Sequence, residues 1–209
     1  MTKDDLAKEK ERLVTLAIEV IARRGASIDR AILASEAGLA RSRIEAVFAE
    51  EAELIDGIVE QWYAPDIAIM EQVVTSDLPI RRKFYEFYAR RWERDHERFV
   101  HDVDLYALYL ELGEQHFERV RGYIDLADHY LTELIAQAQD EGYFEGLAID
   151  RALTLINQMM ICYTSPQMMM IIGERLQTEK LAAILDTIFA GLSAKDGGAM
   201  GVETLKAVT

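Results

Sequence analysis

Three prolines in 209 residues, Pro65, Pro79 and Pro166, leave long runs of Ala, Leu, Ile, Glu, Met and Gln that all accept the helical backbone. An all-α fold follows. Leu13, Leu16, Ala17, Val20 and Ile21 recur at helical spacing over about residues 6–24, with Gly25 in the stop position. Asp29 is placed to cap a short helix to about Glu36, Ala37-Gly38 breaks it, and a second short helix is expected from Arg41 to Phe48. A connecting helix from Glu51 should end at Tyr63, because the residue before Pro65 is pushed out of the helical region, and a further short helix is read over 66–74. Pro79 opens a long helix to His101. Residues 102–112, apolar on most sides, read as buried, and 116–139 as amphipathic, with 140–146 a loop. Residues 150–175 are apolar on nearly every face with a kink expected at Pro166, 178–192 form a last amphipathic helix, and the glycine-rich stretch 194–209 reads as a flexible tail.

Bulk charge argues against an anionic partner. Lys plus Arg number 23 against 37 Asp plus Glu, a net charge of -14, and half the residues are apolar, enough for a sizeable core. A lone cysteine, Cys162, permits no internal disulfide and fits a reducing compartment. The charged N-terminus lacks the apolar segment of a signal peptide, and no stretch approaches the roughly 20 apolar residues of a membrane span. A cytoplasmic protein with no membrane partner is expected.

The local picture differs. Leu33, Ala34, Gly38, Leu39, Ile44 and Phe48 supply what a helix-turn-helix needs: a small residue where two helices cross, a glycine for the left-handed turn, and apolar residues facing inward. Over residues 23–43, Arg23, Arg24, Arg30, Arg41 and Arg43 oppose only Asp29 and Glu36, a local charge of +3, whereas Glu45 to Glu60 holds six acids and no base. Positive charge therefore sits on the two-helix unit, where guanidinium groups can reach phosphates and guanine edges in a major groove; a merely solvated arginine face is the alternative.

Residues 12–54 resemble the N-terminal domain of TetR-type transcriptional regulators. The match runs through Gly25, Asp29, Leu33-Ala34-Ser35-Glu36-Ala37-Gly38-Leu39-Ala40, Arg41-Ser42-Arg43-Ile44-Glu45-Ala46-Val47-Phe48 and Leu54. The resemblance implies a three-helix DNA-binding domain over 1–50, with Arg30, Ala40, Arg41, Ser42, Arg43, Glu45 and Val47 at the DNA, and a helical effector-binding and dimerisation domain over 51–193. Three positions depart from the family pattern. Glu45 replaces the recognition-helix Tyr, Val47 the His or Tyr two residues on, and Glu51 the anchoring Lys, so two carboxylates stand where a phosphate would lie. Either Arg30, Arg41 and Arg43 take over the anchoring, or the chain is a helical dimer of the same fold that has lost operator binding and serves as a ligand-binding or protein-interaction module.

The resemblance further implies a homodimer through the last two long helices, a palindromic double-stranded DNA operator, repression as the commoner mode, and release by a small apolar or aromatic effector. The apolar run 153–172 and the stripe Leu181, Ile184, Leu185, Ile188, Phe189 and Leu192 suit such a bundle. Trp62, Tyr63, Tyr106, Tyr109, Met159, Met160, Tyr163, Gln167 and Met168 could line an effector cavity, and core packing explains each equally well. No cofactor or metal is called for. Glu93-x-x-His96 lacks the second motif that a di-iron site needs, Cys162 lies in an apolar run, and no catalytic motif is found, so an enzyme is not expected.

Overall fold

The structure, a computed structural model, describes residues 2–194. Ten α-helices account for most of them: α1 (Lys3–Arg24), α2 (Arg30–Ala37), α3 (Arg41–Glu45), α4 (Glu51–Thr75), α5 (Ile80–His101), α6 (Val103–Gln115), α7 (Phe117–Asp140), α8 (Ile149–Thr164), α9 (Pro166–Ile172) and α10 (Thr178–Leu192), with one 3-10 turn at Gly173–Arg175. The flexible tail expected from 194 lies, beyond its first residue, outside the described residues. No helix among the described residues is long and apolar enough to cross a membrane.

α1 begins a few residues ahead of the expected start because Thr2 and Asp5 form a reciprocal capping box, and the hydrogen bond from Thr2 holds the Asp5 carboxyl below its ordinary range. Asp29 accepts from the Ile32 N–H at 2.7 Å to start α2, and Gly25 and Gly38 end α1 and α2 in the left-handed region at φ 60° and 64°.

The chain differs from expectation at two of its prolines. Pro65 does not end a helix; α4 runs through it as one 25-residue element. The ring sits at an exposed position, while Leu54, Ile55, Ile58 and Val59 before it and Met70, Val73 and Val74 after it are all buried, so packing on both sides outweighs one lost backbone bond. At Pro166 the chain breaks outright instead of kinking: Ser165 ends α8 with an extended backbone and caps α9, accepting from the Met168 N–H. Nor is α6 buried on most sides. It hides Tyr106, Tyr109 and Leu112 and leaves Val103 in solvent.

The chain forms two compact units. Among the described residues the first comprises 2–67 and 100–124, the second 68–99 and 125–194, so α4, α5 and α7 contribute to both. In the first, Leu13, Ala17, Val20 and Ile21 of α1, Leu33 and Ala34 of α2, Ile44 and Phe48 after the turn, and Leu54 and Ile58 of α4 close one core. α1 and α4 approach so closely that a Cβ at Gly57 would meet Val14 Cγ2 at 2.6 Å.

In the second unit, Phe84, Phe144 and Phe189 bring α5, the α7–α8 loop and α10 together, with ring centroids 4.9–6.1 Å apart. Phe144 is fully buried at φ 55°, an unfavourable backbone for a bulky residue, held there by its ring in this cluster and by Gln139, whose amide donates to the Leu147 carbonyl at 2.7 Å. Lys83 is buried too. Its ammonium donates to the Val74 carbonyl at the C-terminal end of α4 and to Gln137 Oε1, at 3.0 and 2.8 Å, a placement that the helix dipole favours. Gly57→Ala should lower unfolding free energy by about 1–3 kcal/mol in urea titrations, since α1 must move aside; unchanged stability would contradict the close α1–α4 approach.

Candidate DNA-contacting helix and the interior of the second unit

α3 is the shortest helix and carries most of the charged residues picked out above. Ala40 sits at its N-cap position without a side-chain bond, Ile44 turns inward, and Arg41, Ser42, Arg43 and Glu45 are exposed. The regular helix stops at Glu45 because the next residues fold inward: Val47, 8 % exposed, and Phe48 join the core, with the Phe48 N–H donating to the Ile44 carbonyl at 2.8 Å. The Val47 side chain is thus turned to the core rather than to solvent.

Arg30 also points inward. Its Nε donates to Glu51 Oε2 at 3.1 Å, its Nη1 donates to the Phe48 and Ala49 carbonyls at 2.9 and 2.5 Å, and its own backbone N–H donates to Glu51 Oε1 at 3.0 Å. One guanidinium fork therefore closes the turn after α3, and the Glu51 carboxylate serves the first turns of α2 and α4 together, where helix dipoles favour negative charge. The side chain of Arg30 is 20 % exposed, against 73 % for Arg41. Sequence reading missed this latch because it joins residues 18 to 21 apart, partly through backbone carbonyls, which no residue pattern marks.

The remaining arginines lie on the surface. Arg41 Nε donates to Glu45 Oε1 at 2.7 Å, one turn along the same helix, so Glu45 faces the very arginine it accompanies. Arg23 and Arg24 both pair with Glu36, the latter at 3.6 Å. Arg12 bonds Glu9 of α1 at 3.0 Å and holds its carboxyl below the ordinary range, with a smaller pull from Arg43.

The residues proposed for an effector fall into two groups. Trp62, Tyr63, Tyr106 and Tyr109 belong to the first unit, where Trp62 stacks on Tyr109 and Tyr63 on Tyr123, each at 4.0 Å between centroids, and Tyr106 is buried. Met159, Met160, Tyr163 and Gln167 belong to the second; Met160 and Tyr163 are buried, whereas Met159 and Gln167 are exposed.

Beside Tyr163 the second unit holds a feature that sequence reading did not reach. Tyr88 and Trp92, one turn apart on α5, are 2 % and 7 % exposed, and neither Tyr88 Oη nor Trp92 Nε1 has a hydrogen-bond partner among the described residues. Burial pushes the Tyr88 hydroxyl far above the ordinary phenol range, with Arg91 opposing and Asp128 adding to the shift. Trp92 packs edge-on to Tyr163 at 5.8 Å and beside His96 at 5.0 Å. Across from them Asn157 of α8 donates to Asp128 Oδ1 of α7 at 2.8 Å. Leaving such donors unpaired costs about 1–3 kcal/mol each. The spacing of two polar-tipped aromatics at i and i+4 was the available sequence signal.

No cluster of three or more His, Cys, Asp or Glu side chains able to hold a metal ion occurs among the described residues. The sequence profile of the tetracyclin repressor-like C-terminal domain matches residues 81–185, half of the chain. A TetR-family transcriptional regulator from Mesorhizobium loti is similar in structure, with a TM-score of 0.64 at 13 % identity over 91 % of this chain and 96 % of that one. The fatty acid degradation regulator FadR from Bacillus halodurans aligns at 0.56, 16 % identical over 90 % and 95 %, and the Bacillus subtilis FadR in complex with stearoyl-CoA at 0.53, 19 % identical over 87 % and 96 %. No curated protein sequence matches the chain.

An all-helical chain that opens with a helix-turn-helix and continues into a larger helical part defines the architecture of one-component regulators. The chain belongs to the TetR family of transcriptional regulators.

Arg30→Met should cost about 1–3 kcal/mol of stability, because it removes the guanidinium that bonds Glu51 and leaves two carbonyls of the turn without that donor, whereas Arg41→Ala should change it by less than about 0.5 kcal/mol. Equal losses in urea unfolding would contradict the division between latch and surface.

Proposed function

We propose that the chain is a ligand-responsive transcriptional regulator whose homodimer binds a palindromic operator through α3 and represses until a small apolar or aromatic effector releases it. The observation that carries the reading is the exposure of Ala40, Arg41, Ser42 and Arg43 on a helix fixed at its inner face by Ile44 and Phe48. Such a helix can enter a major groove with its arginines toward phosphates and base edges. Residues 1–50 then serve as the DNA-binding head and 51–193 as the sensing and dimerising part. Arg30 and Val47 act by positioning α3, and Glu51 answers Arg30 instead of opposing a phosphate.

Dimerisation through α8 and α10 is supported by apolar surface a monomer leaves in solvent. Met159 and Ile161 of α8 are exposed, and on α10 Ala183, Thr187, Ala190 and Gly191 give a small-residue face on which a second helix can pack closely. The larger residues of the α10 stripe, Leu181, Leu185, Ile188, Phe189 and Leu192, already fill the core of their own unit. Two heads of such a dimer read half-sites about 34–36 Å apart.

Selection from random duplexes should return a palindrome, and the full chain should shift it in a gel with affinity falling steeply as salt rises. Arg41→Ala combined with Arg43→Ala should abolish the shift, while Glu45→Gln, which frees Arg41, should tighten binding about two- to five-fold. Failure to enrich any sequence, with no shift of promoter DNA at low salt, would favour the alternative of a same-fold dimer without an operator, for which the Arg41–Glu45 pair is the specific observation.

A further inference from the structure

Two donors on one face of α5 are buried without an acceptor among the described residues. We infer that the interior of the second unit takes an uncharged, largely apolar molecule through an oxygen acceptor, a ketone or ester carbonyl, bonded by Tyr88 Oη and Trp92 Nε1. The indole N–H can only donate, so its partner must be an acceptor, and the Tyr88 hydroxyl can donate alongside it. Two other polar tips of this unit are committed: the Tyr163 hydroxyl donates to the Gln177 carbonyl at 2.9 Å, and the Asn157 amide donates to Asp128.

The neutrality of the ligand follows from the charges around Tyr88. Arg91 and Asp128 act on it with opposite sign. Arg91 is engaged, its Nε donating to the Phe87 carbonyl at 2.7 Å, its Nη1 lying 3.3 Å from Met70 Sδ, and its guanidinium resting on the Phe87 ring at 4.1 Å. A carboxylate or phosphate brought beside Tyr88 would meet the Asp128 carboxylate, while Arg91, the cation that acts on Tyr88, is already engaged, and buried charge without a partner is strongly disfavoured. Met160 and Met169, both buried in the same unit, supply the adaptable apolar surface that an alkyl or aryl body needs.

This inference rests on the proposed sensing role of residues 51–193, and its test separates the two. Calorimetric titration of the full chain would use acetophenone and 2-nonanone, the hydrocarbons ethylbenzene and nonane, and the carboxylates benzoate and nonanoate. The ketones should bind at least about ten-fold more tightly than their hydrocarbon and carboxylate counterparts. Tyr88→Phe and Trp92→Phe should each weaken ketone binding about three- to ten-fold and leave the hydrocarbons unaffected. Tyr88→Phe removes only an unpaired hydroxyl, so its far-UV circular dichroism and melting temperature should match or exceed wild type, which keeps the binding result interpretable. No heat with either ketone, carboxylates binding as tightly as ketones, or unchanged ketone affinity in Tyr88→Phe each overturns the inference. A chain that shifts its operator but takes no ketone loses only this inference; one that takes the ketone but shifts no DNA loses the regulator reading instead.

Discussion

The guanidinium of Arg30, at the start of α2, closes the turn that follows α3, and the exposure of the charged residues on α3 depends on it. By donating to the Phe48 and Ala49 carbonyls and to Glu51, it fixes the point at which the chain leaves α3 for α4. Phe48 and Val47 are then drawn into the core, Ile44 faces the same way, and Arg41 and Arg43 are left outward. The arginines of this basic stretch thus divide by role: Arg30 builds the head, Arg23 and Arg24 answer Glu36, and Arg41 and Arg43 stand on the exposed face of α3.

The second unit is governed by a different constraint. Its apolar contacts are nearly complete, through the Phe84, Phe144 and Phe189 cluster and the buried stripe of α10, yet Tyr88 and Trp92 keep polar tips inside it without partners. A core evolved for stability alone would fill these positions with Phe and Leu. Buried donors without hydrogen-bond partners among the described residues are the places where we propose that a binding function shows through the packing.

Much of the fold was legible because local signals and tertiary packing agree. The cap at Asp29, the stops at Gly25 and Gly38, and the inward set Leu33, Ala34, Ile44 and Phe48 all stand as their side-chain chemistry requires. Pro65 misled because a local rule met continuous burial on both sides of it, and Val47 because its position in a motif says nothing of how soon the helix ends. The effector set was read from aromatic and thioether character, which cannot tell Trp62 stacked on Tyr109 from a ring lining a binding site. What marks Tyr88 and Trp92 is a pair of buried donors one turn apart with no hydrogen-bond partner among the described residues, a property that exists only once the chain is folded. The two carboxylates that stood against DNA binding have different meanings. Glu51 is a structural partner, and Glu45 is a competitor for Arg41.

The most direct test of this division is the salt dependence of operator affinity in single variants. Each arginine that meets a phosphate contributes close to one unit to the slope of log affinity against log salt. In a homodimer each substitution removes two such contacts, so Arg41→Ala and Arg43→Ala should each lower that slope by about two, while Arg30→Met, measured where it remains folded, should leave it unchanged. A slope that falls with Arg30→Met and not with Arg41→Ala would contradict the account.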